Sequence, residues 1–202
     1  MEKEKGKKGK RKMEGRWGKD SGILIKSFEH REIRNPLIYS CLIRYPVFHT
    51  AEILEIWEAN SRFYTAEKWI RGETLYDTLM GWVRIGDDGK GGLRFHLLRR
   101  WKHEIQRAVG GLHSLPGGGI IHGDISPKNI MITFENEAML IDFNGADFDG
   151  AIQPRRWFAT RAFSEENAYC QGILTEESDR TSIEKTFSFA KYILYLSQEV
   201  RK

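Results

Sequence analysis

The run Ile121-His122-Gly123-Asp124-Ile125-Ser126-Pro127-Lys128-Asn129, followed by Leu140-Ile141-Asp142-Phe143-Asn144-Gly145, constrains this chain more than any other feature. Two short apolar segments, Asn129 to Thr133 and Ala138 to Phe143, flank the polar turn Glu135-Asn136-Glu137. Apolar runs bounded by turn residues read as two strands of a hairpin. Asn129 opens the first strand and Asp142 lies at the end of the second, so folding the hairpin brings them together. An amide oxygen and a carboxylate that close suit Mg²⁺, a hard cation that keeps other coordination positions for water and phosphate oxygens. Asp124 lies in the loop before the hairpin, where it can accept a proton from an attacking hydroxyl. Those are the parts of a phosphoryl-transfer site, where catalysis is mainly positioning and charge neutralisation.

The surrounding sequence supplies elements in a consistent order. Ile23-Leu24-Ile25-Lys26 reads as a short strand ending in a lysine. Asn35-Pro36 is a helix start, with a capping residue before proline at the first helical position, and the helix runs to about Ile43. Ile53 to Trp57 and Arg62 to Ala66 read as a hairpin around Glu58-Ala59-Asn60-Ser61. Gly86 to Gly92 reads as a flexible loop. Leu98, Trp101, Ile105, Ala108 and Leu112 share one helical face, and Pro116 with Gly117-Gly118-Gly119 ends that helix. Asn144 to Thr175 is polar with few periodic features. A last helix begins at about Asp179 and buries Ile183, Phe187, Ala190 and Leu194. A strand-rich part followed by a helical part, divided near Gly72, predicts an α+β fold with segregated halves.

Charge decides which partners to expect. The 202 residues carry 32 Lys plus Arg and 28 Asp plus Glu, a net of +4. Residues 1–20 hold nine of the basic and four of the acidic residues, a net of +5, so the remainder is close to neutral at −1. The predicted reading is a disordered basic tail over 1–20, with Lys7 to Lys12 as its densest run, on a folded domain over 21–202. A near-neutral body with scattered tryptophans argues against nucleic-acid binding outside the tail. No apolar stretch approaches the ~20 residues that span a bilayer, and the chain opens on charge instead of a secretory leader. Cys41 and Cys170 are too few for a disulfide scaffold or a zinc ribbon. The expectation is a soluble intracellular protein, cytoplasmic and/or nuclear, without a membrane partner.

The octet from His122 to Asn129 and the later Asp142-Phe143 closely resemble the eukaryotic protein kinase signature, H-x-D-x-x-x-x-N followed by D-F-G. The loop His-Gly-Asp-Ile-Ser-Pro-x-Asn is similar to that of small fungal kinase-like proteins, and more loosely to KEOPS-associated and RIO-type kinases. The resemblance covers roughly residues 22–198. It implies a bilobal kinase-like fold, with an N-lobe over about 21–70 and a C-lobe over about 71–202. It also implies ATP and Mg²⁺ as cofactors and a protein serine or threonine hydroxyl as acceptor. By resemblance, Lys26 contacts the α and β phosphates, and Asp124 is the catalytic base. Lys128 lies against the transferred phosphate, and Asn129 and Asp142 hold Mg²⁺. Glu67 falls in the strand and hinge that hold adenine, Glu32 is the first candidate to pair with Lys26 and Glu29 the second, and Asp179 braces the catalytic loop. His122 is read as a structural loop residue. Ala159 to Glu166 is similar to the end of an activation segment.

The chain departs from that family in four ways. No G-x-G-x-x-G precedes Lys26, so the N-lobe reads as truncated, and a partner protein could complete it. Pro36 interrupts the helix that should carry the glutamate partner of Lys26. Asn144 stands where the family has the glycine of D-F-G, read as a residue tolerant of unusual backbone angles, and Gly123 replaces an arginine that binds an activation-loop phosphate. The chain ends soon after the helix from Asp179, so the C-lobe reads as shortened. These departures motivate a second reading, a pseudokinase or kinase-like binding module. A third is a small-molecule phosphotransferase of the aminoglycoside or choline type. Those enzymes usually place a long insert before the loop, where this chain has only Pro116 and three glycines.

Overall fold

The structure is a computed structural model, and it describes residues 22–86, 88–151, 160–164 and 173–199. The basic tail, Cys170 and most of the flanks of Thr160 to Ser164 lie outside the described residues. Three strands, β1 (Ile23–Glu29), β2 (Ile53–Ala59) and β3 (Arg62–Lys68), form an antiparallel sheet in the order β1-β3-β2. β2 and β3 run further than the sequence suggests, because only Asn60 and Ser61 turn the chain. Both have positive φ, 51° and 56°, the twist that suits a two-residue hairpin turn. The register sets Lys26 opposite Thr65 and Leu24 opposite Glu67.

Helix α1 (Pro36–Arg44) lies between β1 and β2. It begins as the sequence predicts: Pro36 is at its first position, and the Asn35 side chain accepts the Leu37 N–H at 3.1 Å. Its inner face, Ile38, Tyr39 and Leu42, is buried. Beyond Lys68 a short strand β4 (Gly72–Thr74) pairs with β6 (Ile130–Thr133), which pairs in turn with β7 (Ala138–Leu140). Gly72 is where a side chain would not fit: a Cβ there would stand 2.1 Å from the Ile132 carbonyl oxygen. The expected hairpin is therefore present, with a third strand on its edge.

Four helices of at least two turns are described. Besides α1 they are α2 (Leu75–Ile85), α3 (Gly91–His113) and α4 (Glu176–Glu199). α2 is the one that the sequence reading passed over. Thr74 caps it by accepting the Asp77 N–H, and only Leu75 and Leu79 are buried, a weak stripe. The glycine-rich segment between α2 and α3 is shorter and better anchored than a flexible loop. α3 starts at Gly91, and Arg94 reaches back to Asp88 at 2.9 Å and to the Gly86 carbonyl at 3.1 Å. Asp87 lies outside the described residues. α4 starts at Glu176, three residues before the expected Asp179.

The core forms where α3 meets α4 and the β6–β7 hairpin. Leu98, Trp101, Ile105, Ala108 and Leu112 of α3 and Ile183, Phe187, Ala190 and Leu194 of α4 are all buried, as their spacing predicts. Each large side chain buried there contributes roughly 1.5–3 kcal/mol relative to exposure. Two polar contacts lock the hairpin to α3. The Trp101 indole N–H donates to the Asn136 carbonyl at 2.7 Å, and the buried Glu104 carboxylate accepts the Ala138 N–H at 2.8 Å. The ends of β6 and β7 are fixed by the long helix behind them. A two-stranded pair, β5 (Ile120–Ile121) with β8 (Asp147–Phe148), closes the loop region beside it. Among the described residues no helix is long and apolar enough to cross a membrane.

Candidate active site

The His122 to Asn129 loop is suspended between β5 and β6, and α4 holds it from beneath. Asp179 is fully buried, and both its carboxylate oxygens accept loop amides at 2.9 Å: Oδ2 from His122 and Oδ1 from Gly123. His113 Nε2, at the end of α3, lies 3.0 Å from Asp179 Oδ2. Two helical turns further along α4, Thr186 donates its hydroxyl to the Ile125 carbonyl at 3.1 Å. Gly123 has φ 76°, and a Cβ there would meet the Gly145 oxygen at 3.1 Å and Leu174 at 3.2 Å. This backbone accounts for a glycine where the resembled family has arginine. His122 is buried, its Nε2 3.1 Å from the Ile141 carbonyl, which fits the structural role expected of it.

Asp124 and Asn129 are joined directly. The Asn129 amide nitrogen donates to the Asp124 backbone oxygen and to Asp124 Oδ2, each at 2.9 Å. That leaves the Asn129 side-chain oxygen outside the pair. Asp124 Oδ1 accepts the Thr160 N–H at 2.6 Å. Burial pushes the Asp124 carboxyl above its ordinary value, and the Asp142 charge adds to this. The Thr160 amide and nearby His122 pull the other way without prevailing. Asp142 comes next to Asn129 through the hairpin, because the Ile141 N–H donates to the Asn129 carbonyl at 3.0 Å. Asp142 itself has φ 66°, in the left-handed region that L-residues seldom occupy.

That last angle corrects one expectation. The unusual backbone falls on Asp142, and Asn144 has an ordinary negative φ. What Asn144 contributes is its side chain: Oδ1 accepts the Tyr39 hydroxyl at 2.6 Å. Tyr39 is 1% exposed. Burial first, and then the carboxylates of Asp142 and Glu67, push its phenol well above the ordinary value, so it remains a donor. No sequence signal marked Tyr39 beyond its place on the apolar face of α1.

Lys26 finds a partner that sequence reasoning ranked elsewhere. Its Nζ is 2.7 Å from Glu67 Oε2, and the Glu67 side chain is 5% exposed. Thr65 donates to the other oxygen of Glu67 at 3.1 Å. The pair runs diagonally between adjacent strands. Glu32, the expected partner, instead caps a 3-10 turn by accepting the Glu29 N–H at 2.9 Å. Glu29 reaches Arg31 at 2.6 Å. The chain turns into a 3-10 helix at His30–Glu32 directly after β1, which takes Glu32 out of the strand, and Glu29 ends β1 three residues beyond Lys26, opposite Arg62. Lys128 is exposed and rests its ammonium 5.5 Å from the Tyr76 ring centre, at the start of α2.

Among the described residues no group of three or more His, Cys, Asp or Glu could hold a metal ion. A protein cage of that kind is not what Asn129 and Asp142 offer. Two oxygens of different charge fit a Mg²⁺ that arrives with phosphate and keeps water, as that ion commonly does.

No family model matches the chain. Over 100 residues, half of its length, it is 30% identical to a protein named serine/threonine-protein kinase kin-29 from Caenorhabditis briggsae. The matched part is 11% of that protein, so the chain spans only a small share of it. The likeness supports a kinase-like relationship, and the small antiparallel sheets and four helices among the described residues are compatible with a kinase-like fold.

Proposed function

We propose that the chain is a small bilobal kinase-like phosphotransferase that moves the terminal phosphoryl group of ATP to a serine or threonine hydroxyl of a protein. The observation that carries this is the bond between Asp124 and Asn129 on a loop whose amides are fixed by Asp179, with Asp142 brought beside Asn129 by the hairpin. Asp124 accepts the hydroxyl proton on a carboxylate oxygen. Its raised pKa makes it a better acceptor than an exposed aspartate. Asn129 and Asp142 would hold Mg²⁺ through their side-chain oxygens. When bound, the ion neutralises charge on the phosphates. Lys26, pinned by Glu67, contributes a fixed cation for the α and β phosphates. Lys128 is free to leave the Tyr76 face and approach the transferred group.

A second reading, a binding module without transfer, draws on one contact. The Thr160 amide and the Asn129 side chain together engage both oxygens of Asp124. Single-turnover transfer from labelled ATP separates the two. The proposal expects label on a protein acceptor with the wild type and none with Asp124→Ala. Equal label from both proteins would end it.

A further inference from the structure

The segment that leads into α1 is tied at several points to the segment after Asp142. The Arg34 N–H donates to the Asn144 carbonyl at 2.9 Å, and the Arg34 guanidinium reaches Asp147 Oδ2 at 2.5 Å. The Asn35 side chain donates to Asp147 Oδ1 at 2.8 Å while its own oxygen caps α1. Tyr39 then donates to the Asn144 side chain one turn into the helix. The Arg34 and Asp147 side chains are 6% and 15% exposed, so this ion pair is largely shielded from solvent. The segment that follows α1 is held as well: the Ala51 N–H donates to the Leu140 carbonyl, and the Leu140 N–H to the His49 carbonyl, each at 2.8 Å.

Asp142 therefore lies between two anchors, β7 before it and the Asn144 to Asp147 stretch after it, and both are fastened to the α1 region. Its left-handed φ of 66° needs such support, since an aspartate at that angle is held by its surroundings. Lys26, in contrast, is paired within the sheet and takes nothing from α1. The only side-chain hydrogen bond from the body of α1 to the Asp142 loop, among the described residues, is Tyr39 to Asn144.

We infer that Tyr39 and Asn144 act as a positioning pair that sets the Asp142 carboxylate for the metal. This deepens the phosphotransferase reading and rests on it. It also assigns a reason for asparagine at position 144. A glycine there would complete an Asp-Phe-Gly triplet but give the Tyr39 hydroxyl no acceptor. The inference thus makes a counter-intuitive statement: restoring the family triplet weakens the site.

The test is binding of Mn²⁺ to the full chain with a non-hydrolysable ATP analogue, read by electron paramagnetic resonance, with urea unfolding measured in parallel. Tyr39→Phe removes only the hydroxyl, and Asn144→Gly removes the acceptor. Each is expected to weaken Mn²⁺ binding about three- to tenfold, the usual range for losing one buried hydrogen bond. The double variant is expected to be no worse than the weaker single, because both remove one interaction. Lower unfolding midpoints with unchanged Mn²⁺ affinity, or effects that multiply in the double variant, would overturn the positioning role while leaving the site. Wild-type protein that binds no Mn²⁺ with the analogue would overturn the phosphotransferase reading and this inference together.

Discussion

Asp179 offers the sharpest test of how the loop is held. Its carboxylate is fully buried and accepts the His122 and Gly123 amides, with His113 Nε2 beside it. Replacing it with alanine leaves two buried N–H groups without an acceptor. Each orphaned donor costs about 1–3 kcal/mol, and the vacated space prevents full recovery by the neighbours. The expected loss is about 3–5 kcal/mol, a large share of the ~5–15 kcal/mol by which domains are stable. Asp179→Asn keeps one carbonyl acceptor but turns an NH₂ group toward the other amide, so its cost falls to about 1–3 kcal/mol. Urea unfolding followed by tryptophan fluorescence measures both, with the midpoint shift read at constant slope. The reasoning is refuted if alanine costs under about 1 kcal/mol, or if asparagine is as damaging as alanine.

Two further outcomes follow from the geometry. Glu67→Gln should weaken ATP-induced thermal stabilisation, because Lys26 loses the charge of its ion-pair partner, whereas Glu32→Gln should leave it unchanged; the reverse order would restore the partner expected from sequence. For Asp147, burial raises the carboxyl, but hydrogen bonds from Asn35 and Arg34 outweigh it and bring it below its ordinary value. A depressed carboxyl contributes stability that is present above its unfolded pKa of roughly 3.9 and is lost as pH falls through the lower folded value. Asp147→Asn should therefore flatten the acid limb of a plot of unfolding midpoint against pH, and an unaltered limb would count against the pair.

What the sequence made legible was whatever repeats or sits next to its partner in the chain. The stripe of α3, the Asn35-Pro36 start of α1 and the β6–β7 hairpin all depend on neighbours within a few residues. The closeness of Asn129 and Asp142 was legible for the same reason, since a hairpin brings its ends together. Glu67 was misjudged because its contact with Lys26 depends on strand register, which only the folded sheet defines. Tyr39 was invisible because an aromatic on an apolar helix face reads as core, and its hydroxyl meets Asn144 across a large separation in sequence. Asn144 was assigned a backbone reason when its side chain was the point. α2 was passed over because two buried leucines and a threonine cap make a faint signal.

The Lys26–Glu67 bond has one property that a contact between a strand and a movable helix lacks. Both residues ride on one antiparallel sheet, two rungs apart in a fixed ladder. Strand pairing changes in whole residues, and a slip of one would carry Glu67 to the opposite face. The spacing of the two backbones is therefore quantised: no gradual tilt of α1 lengthens it, and only unpairing β1 from β3 changes it. To carry the Lys26 backbone away from Glu67, a perturbation would have to unzip a strand.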